Sequence, residues 1–309
     1  MKNKATIAVL GEGAWGTALA TILVRNGHAV KLWCYHSEIA DEINAHHTNT
    51  RYLPGFELSA KIQATPDAAQ ALHNVDWICE AIPVQYLRSV ITQMRPHVAQ
   101  NTPWIMTSKG IEKDTLLFPT EIVADVLGYS VPHGVLVGPS FARDVMRQEQ
   151  TGLLVASAQS VVQSDISALF ANKYLVCMDS TDTHGAQLCA AFKNVVAVLV
   201  GISDGHGHGD NARALLVTRC FQKLVALAHA TGGSLETVHG LAGIGDLFLT
   251  ASSTQSRNYS VGKALGAGES LQSIIDRTGF TPEGINTMRS IRAYAHMYHV
   301  SLDDLNCDI

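Results

Sequence analysis

A glycine loop set between a strand and a helix narrows the fold more than any other feature of this chain. ATIAVLG (residues 5–11) is short, apolar and β-branched, the pattern of a parallel strand buried on both faces. GEGAWG follows, placing Gly11, Gly13 and Gly16 in the spacing GxGxxG. TALATILVRNGH then shows helical periodicity and stops at Asn26-Gly27, and AVKLWCY (residues 29–35) reads as a second strand. Strand, glycine loop, helix and strand within about thirty residues make the dinucleotide-binding βαβ unit. Gly11 permits the tight turn, Gly13 lets backbone N–H groups approach a pyrophosphate, and Gly16 lets the helix pack close to the strand. The helix N-terminus then faces the anion.

The end of the second strand reports on the cofactor, because an acidic residue there would bond the ribose 2′-OH and disfavour NADP. Here the stretch is LWCYHSE: Cys34, Tyr35 and His36 stand at the expected distance, no acid appears until Glu38, and no arginine is present to hold a 2′-phosphate. Use of both NAD and NADP is the expectation. Further strands are expected in VDWICEAIP (75–83), TPWIMTSKGI (102–111), GVLVGPSFA (134–142), TGLLVASA and KYLVCMDS. The loop PVQYL after Pro83 is placed to flank the nicotinamide side. Lys109 lies at the carboxyl end of its strand, where open α/β sheets bind ligands.

From about residue 186 strand signals nearly vanish and helical periodicity takes over. At 309 residues the chain accommodates two domains, expected here at 1–183 (dinucleotide-binding, α/β) and 184–309 (all-α, substrate and catalytic), with the chemistry expected between them. A net charge of −5 with no lysine- or arginine-rich run argues against nucleic acid as a partner. Six scattered cysteines without a CxxC suit reduced thiols in a cytoplasmic protein. No signal peptide is expected from the first residues, and runs such as VVAVLVGI read as too short to span a membrane.

The helix AAFKNVVAVLVG (190–201) is apolar on every side except for Lys193 and Asn194. A helix apolar all round is a buried one, and burying an ammonium is costly without partners. Either Lys193 snorkels its amine to solvent, or it faces a ligand with its pKa lowered by burial and by a second cation, for which Lys109 is the candidate. In the second case it can take a proton from an alcohol while a hydride leaves. Three other clusters stand out. GIGD places Asp246 in a glycine-flexed turn, where the bland reading is a cap. Ser256-Arg257-Asn258 opens a helix, where an arginine and free N–H groups suit a phosphate, although a surface ion pair is the plainer reading of Arg257. SDGHGHGDNAR (203–213) is a glycine-rich polar loop. His206 and His208 without a third ligand do not make a zinc site, so no metal is assigned.

GEGAWGTALA, TSKGIE, GPSFA, AFKNVVAVLVGISDG, NARALL, GIGDLFLT, SRNYSVG and PEGINT, in this order from about residue 5 to residue 287, resemble the bacterial NAD(P)-dependent glycerol-3-phosphate dehydrogenase family. The resemblance implies a Rossmann-type α/β domain followed by an all-α domain like the C-terminal domain of 6-phosphogluconate dehydrogenase. It implies that Lys193 transfers the proton, that Lys109 meets both substrate and cofactor, and that Asp246 sits beside the substrate. Ser256, Arg257 and Asn258 would hold the substrate phosphate, Arg257 also lying near the cofactor, and Gly138 and Ser140 would touch the substrate. Ala142, Ala14, Trp15, Tyr35, Thr281 and Glu283 fall at the family's other cofactor positions.

The implied partner is a small phosphorylated substrate, glycerol 3-phosphate or dihydroxyacetone phosphate, and the implied role is supply of the phospholipid backbone. A homodimer is one expectation. Family chains continue through another helix after MRSIRAYAHMYHV, where this sequence has SLDDLNCDI. Two other readings share the plan: a β-hydroxyacid or 6-phosphogluconate-type dehydrogenase, and a non-catalytic dinucleotide sensor.

Overall fold

The computed structural model describes residues 4–279 and 282–305. Eight strands form one sheet: β1 (Thr6–Leu10), β2 (Ala29–Trp33), β3 (Ile62–Thr65), β4 (Trp77–Glu80), β5 (Trp104–Met106), β6 (His133–Val137), β7 (Thr151–Ala156) and β8 (Leu175–Ser180). Their order is β3-β2-β1-β4-β5-β6-β7-β8, and β1 pairs in parallel with both β2 and β4. The pairs β2–β3, β4–β5, β5–β6 and β7–β8 also run parallel. Chain order reverses direction at β1, between β2 and β4, which is the switch point where doubly wound sheets bind ligands. Ile7, Val9, Leu19, Leu23, Leu32 and Leu136 belong to the core that joins the central strands to the first helix (Ala14–Arg25). β3 was not among the expected strands. It has four residues and lacks the apolar run that marks the others, and β2 supplies its pairing.

The chain divides into two compact units. One takes in the chain up to Ser108, Thr120–Leu136 and Ser140–Thr183. The other contains Lys109–Pro119, Val137–Pro139 and the chain from His184 on. The second unit is therefore not a simple C-terminal half: it includes Lys109 and Gly138, each just beyond the end of a strand core.

The second unit is helical. Its lysine helix (Thr183–Gly205) is buried without interruption from Gly185 to Gly201. By length and composition this helix could cross a membrane, contrary to the reading of its apolar runs as too short, and 94% of its most apolar stretch is buried inside the protein. Around it come Asp210–Ala230, Asp246–Ser252, Arg257–Gly266, Leu271–Thr278 and Glu283–Met297. The Arg257–Gly266 helix lies against the lysine helix at backbone contact. A Cβ on Gly262 would stand 2.2 Å from the Val198 carbonyl oxygen, and one on Gly201 would stand 2.2 Å from that of Tyr259.

Two local expectations change. Ser203, Asp204 and Gly205 are the last turn of the lysine helix, so the loop shrinks to residues 206–209. Asp204 holds its two ends together: Arg213 donates to both carboxylate oxygens, at 3.2 and 2.8 Å, and the Tyr259 hydroxyl donates at 2.7 Å. The segment ending in GIGD is not a flexed turn but a π-helical turn (Leu241–Gly245) that runs directly into the helix beginning at Asp246.

Candidate active site

Lys193 does not snorkel. It is 6% exposed, and its Nζ donates to Asp246 Oδ1 at 2.8 Å and to Thr250 Oγ1 at 2.9 Å. Asp246 and Thr250 are four apart on one helix, so both face the same way, and the Thr250 hydroxyl passes its own hydrogen to Asp246 Oδ1 at 3.2 Å. The second oxygen of Asp246 lies 3.5 Å from Lys109 Nζ. One carboxylate, 1% exposed, thus orients two ammonium groups. Burial pushes the Lys193 amine down to about 8; the Asp246 charge opposes this and the Lys109 charge reinforces it. An amine near that value exchanges its proton readily at neutral pH.

The segment that leads into Lys109 is fixed within the sheet unit. Glu80, fully buried at the carboxyl end of β4, accepts from the backbone N–H groups of Thr107 at 2.8 Å, Ser108 at 3.0 Å and Ile82 at 3.3 Å. The Ser108 hydroxyl also donates to Glu80, and Thr107 Oγ1 donates to the Glu80 carbonyl at 2.7 Å. Burial raises the Glu80 carboxyl above its ordinary range, and these hydrogen bonds oppose that rise. The chain is thus pinned at Thr107 and Ser108, the two residues before Lys109.

Next to Lys193, Asn194 donates to Glu283 Oε2 at 3.2 Å. Burial raises the Glu283 carboxyl, while Arg257, Lys109 and Lys193 pull it down, so the helical unit gathers these charges around one place. Ser256 caps the Arg257–Gly266 helix by accepting from the Tyr259 N–H at 3.2 Å. Asn258 accepts from the Gly284 N–H at 3.0 Å, tying that helix to the start of the next. Gly138 directly follows β6 and belongs to the helical unit, and Gly245 approaches the neighbouring Pro139, whose Cγ would lie 3.7 Å from a Cβ there. Ser140 and Ala142 belong to the sheet unit, where Ala142 opens a short helix (Ala142–Met146).

The glycine loop fits a dinucleotide. Gly11 has φ +112°, and a Cβ on Gly16 would stand 1.9 Å from the Gly11 carbonyl oxygen, so turn and helix touch. A Cβ on Gly13 would meet nothing within 4 Å, which leaves open space at the helix start. No side chain caps that first turn, formed by Ala14 and its neighbours. The buried indole N–H of Trp15 has no partner, an orphan donor that a ligand would satisfy. Tyr35 is 69% exposed beyond β2 and meets the His36 ring edge-on. Thr281 lies outside the described residues.

Two contributors were not foreseen. Thr250 was legible only as the residue four beyond Asp246, once that segment is known to be helical. Asn194 was visible beside Lys193, but its partner Glu283 is 89 residues away. Among the described residues no group of three metal-type ligands gathers, and His208 instead bonds Ser203 at 3.1 Å.

Two family models match: residues 6–163 match that of the NAD-dependent glycerol-3-phosphate dehydrogenase N-terminus and residues 182–305 that of its C-terminus. A glycerol-3-phosphate dehydrogenase [NAD(P)+] of Bacillus velezensis is 37% identical over 298 residues, covering 96% of this chain and 86% of its own. That of Teredinibacter turnerae is also 37% identical, over 94% of this chain and 86% of its own. The crystal structure of a Coxiella burnetii glycerol-3-phosphate dehydrogenase superposes with a TM-score of 0.93 at 36% identity, covering 98% of this chain and 92% of that one. The glycine loop, the buried lysine and these matches along nearly the whole sequence lead to one conclusion: the chain belongs to the NAD-dependent glycerol-3-phosphate dehydrogenase family.

Proposed function

We propose that this chain interconverts sn-glycerol 3-phosphate and dihydroxyacetone phosphate, with Lys193 moving the proton at the C2 oxygen. The observation that carries the assignment is the buried Lys193–Asp246 contact beside Lys109, with the Lys193 amine lowered to about 8. The relatives' names supply the substrate pair. The nicotinamide cofactor, when bound, supplies or accepts the hydride at C2.

In the oxidative direction neutral Lys193 accepts the C2 hydroxyl proton as the C2–H bond gives up its hydride. In the reductive direction the Lys193 ammonium gives a proton to the oxygen that gains negative charge, leaving a neutral amine. Asp246 and Thr250 hold Lys193 in one orientation, which removes the need to order it at each turnover. Lys109 adds positive charge near the same oxygen. Arg257 pairs with the substrate phosphate, with Ser256 and Asn258 fixing the segment that carries it, and Gly138 and Ser140 complete the substrate contacts. The glycine loop (Gly11, Gly13, Ala14, Trp15 and Gly16), Tyr35 and Ala142, with Glu283 and Thr281, take the cofactor contacts.

We place this activity in the cytoplasm, as supply of glycerol 3-phosphate for phospholipid synthesis. The buried free thiols of Cys34 and Cys79 support a reducing compartment.

The test follows reduced-nicotinamide absorbance with dihydroxyacetone phosphate, for the wild type and Lys193→Ala. The expected result is turnover that the variant loses by orders of magnitude while cofactor still binds. Near-normal turnover in the variant would overturn the role of Lys193. Absence of turnover in the wild type would overturn the substrate.

A further inference from the structure

The second residue of the glycine motif, Glu12, has no part in the phosphate-binding logic of GxGxxG, yet it is only 5% exposed. Its carboxylate reaches the carboxyl end of β2. Oε2 accepts from the Tyr35 backbone N–H at 3.0 Å, and Oε1 stands 2.6 Å from His36 Nδ1. Its main-chain carbonyl is held too, accepting from Asn49 Nδ2 at 2.8 Å and Thr17 Oγ1 at 3.0 Å. Asn49 is itself buried, 1% exposed, and its amide also donates to Thr17 Oγ1 at 2.9 Å. Glu12 is therefore fixed at both ends. Its charge registers on the Cys34 thiol, which burial pushes up and Glu12 pushes further.

The carboxyl end of β2 is where a dinucleotide-binding sheet meets the adenosine ribose, and an acid there selects against a 2′-phosphate. The stretch LWCYHSE brings no acid to that point. The fold delivers one from the neighbouring strand's loop instead.

Resting on the family's use of a nicotinamide dinucleotide, we propose that Glu12 is this chain's cofactor-specificity residue: its carboxylate stands at the ribose end of β2, favours the unphosphorylated ribose and makes the chain prefer NADH to NADPH. Two effects act together. The carboxylate repels a 2′-phosphate dianion at short range. It also occupies the Tyr35 N–H and the His36 ring, donors that a 2′-phosphate would need. Arg51, two residues beyond Asn49, is half exposed, with Nη1 3.9 Å from Glu38 Oε1 in the first turn of the helix after β2.

The experiment is calorimetric binding of adenosine 5′-diphosphate and adenosine 2′,5′-diphosphate, with NADH and NADPH titrated by fluorescence. It uses the wild type, Glu12→Gln and Glu12→Ala. Gln keeps the size and an acceptor for Tyr35 while removing the charge, so a folding defect confined to Ala does not obscure the result. The wild type is expected to bind the unphosphorylated member of each pair about tenfold tighter or more, and Glu12→Gln to cut that ratio by about fivefold or more. Wild-type binding of both members within about threefold would overturn the proposal, as would a ratio unchanged in Glu12→Gln, which would make Glu12 a brace for the β2 turn. Binding of none of the four probes by the wild type would instead overturn the dinucleotide reading on which the proposal rests.

Discussion

Lys193 and Lys109 share one carboxylate: Asp246 Oδ1 lies 2.8 Å from the first ammonium and Oδ2 lies 3.5 Å from the second. Two cations on one anion leave net positive charge in a buried place, which suits an oxygen that becomes negative during reaction. Burial, reinforced by the Lys109 charge and opposed by that of Asp246, makes the proton on Lys193 exchangeable.

The pH dependence follows in sign. Lys193 titrates near 8 in the fold against an ordinary 10.5. Oxidation of glycerol 3-phosphate needs the neutral amine, so its rate rises with pH and levels off above about 8. Reduction of dihydroxyacetone phosphate needs the ammonium, so its rate falls above the same point. Rates in both directions across pH, at saturating substrate, check this. For stability, the unfolded chain holds the proton between about 8 and 10.5 where the folded chain has lost it. This group's contribution therefore improves as pH rises through that window.

Asp246→Asn removes the charge that raises Lys193 and leaves burial and Lys109 to lower it. The expected outcome is a fall in kcat of about 100-fold, with the remaining activity's pH inflection moved to lower pH. A pH–rate series on the variant measures both; an inflection that stays in place would contradict the coupling.

Glu80→Ala takes the carboxylate acceptor from the N–H groups of Ser108 and Ile82, while the Thr107 N–H keeps its 3.2 Å bond to the main-chain carbonyl of residue 80. Each such loss costs about 1–3 kcal/mol, so denaturant unfolding should show a lowered midpoint. The Lys109 turn loosens with it, and KM for dihydroxyacetone phosphate should rise more than that for the cofactor.

Gly262→Ala places a methyl group 2.2 Å from the Val198 carbonyl oxygen. Neither helix backbone can yield cheaply, and the expected destabilisation is about 1–3 kcal/mol, read from the urea midpoint. Gly268→Ala in the same region, where a Cβ would meet nothing, serves as a comparison for backbone strain alone, since φ there is +92°.

The first βαβ unit was legible because its signals are local: β1, the glycine loop and the first helix are consecutive, and Gly16 answers to Gly11 five residues before it. Lys193 was legible as a cation out of place in an apolar helix. Its partners were less so, because Asp246 is 53 residues away and its helix begins in a π-type turn that reads as a glycine bend. The SDG segment read as a loop because glycine, serine and aspartate are weak helix formers. Packing overrides that weakness, for a Cβ on Gly205 would strike the Lys263 carbonyl at 2.3 Å, so the helix continues where a close neighbour holds it. Glu12 was invisible for another reason: its partners Tyr35 and His36 come within reach only when β1 and β2 lie side by side.

The backbone contact between the lysine helix and the Arg257–Gly266 helix acts as a gauge. With glycine at Gly201 and Gly262, the spacing between Lys193 and Arg257 is set by main chain against main chain rather than by compressible side chains. On their proposed roles, one end of that gauge grips a phosphate and the other meets a hydroxyl. Substrate length is then measured by a rigid calliper, and a phosphorylated alcohol one carbon longer would present the wrong atom to the amine.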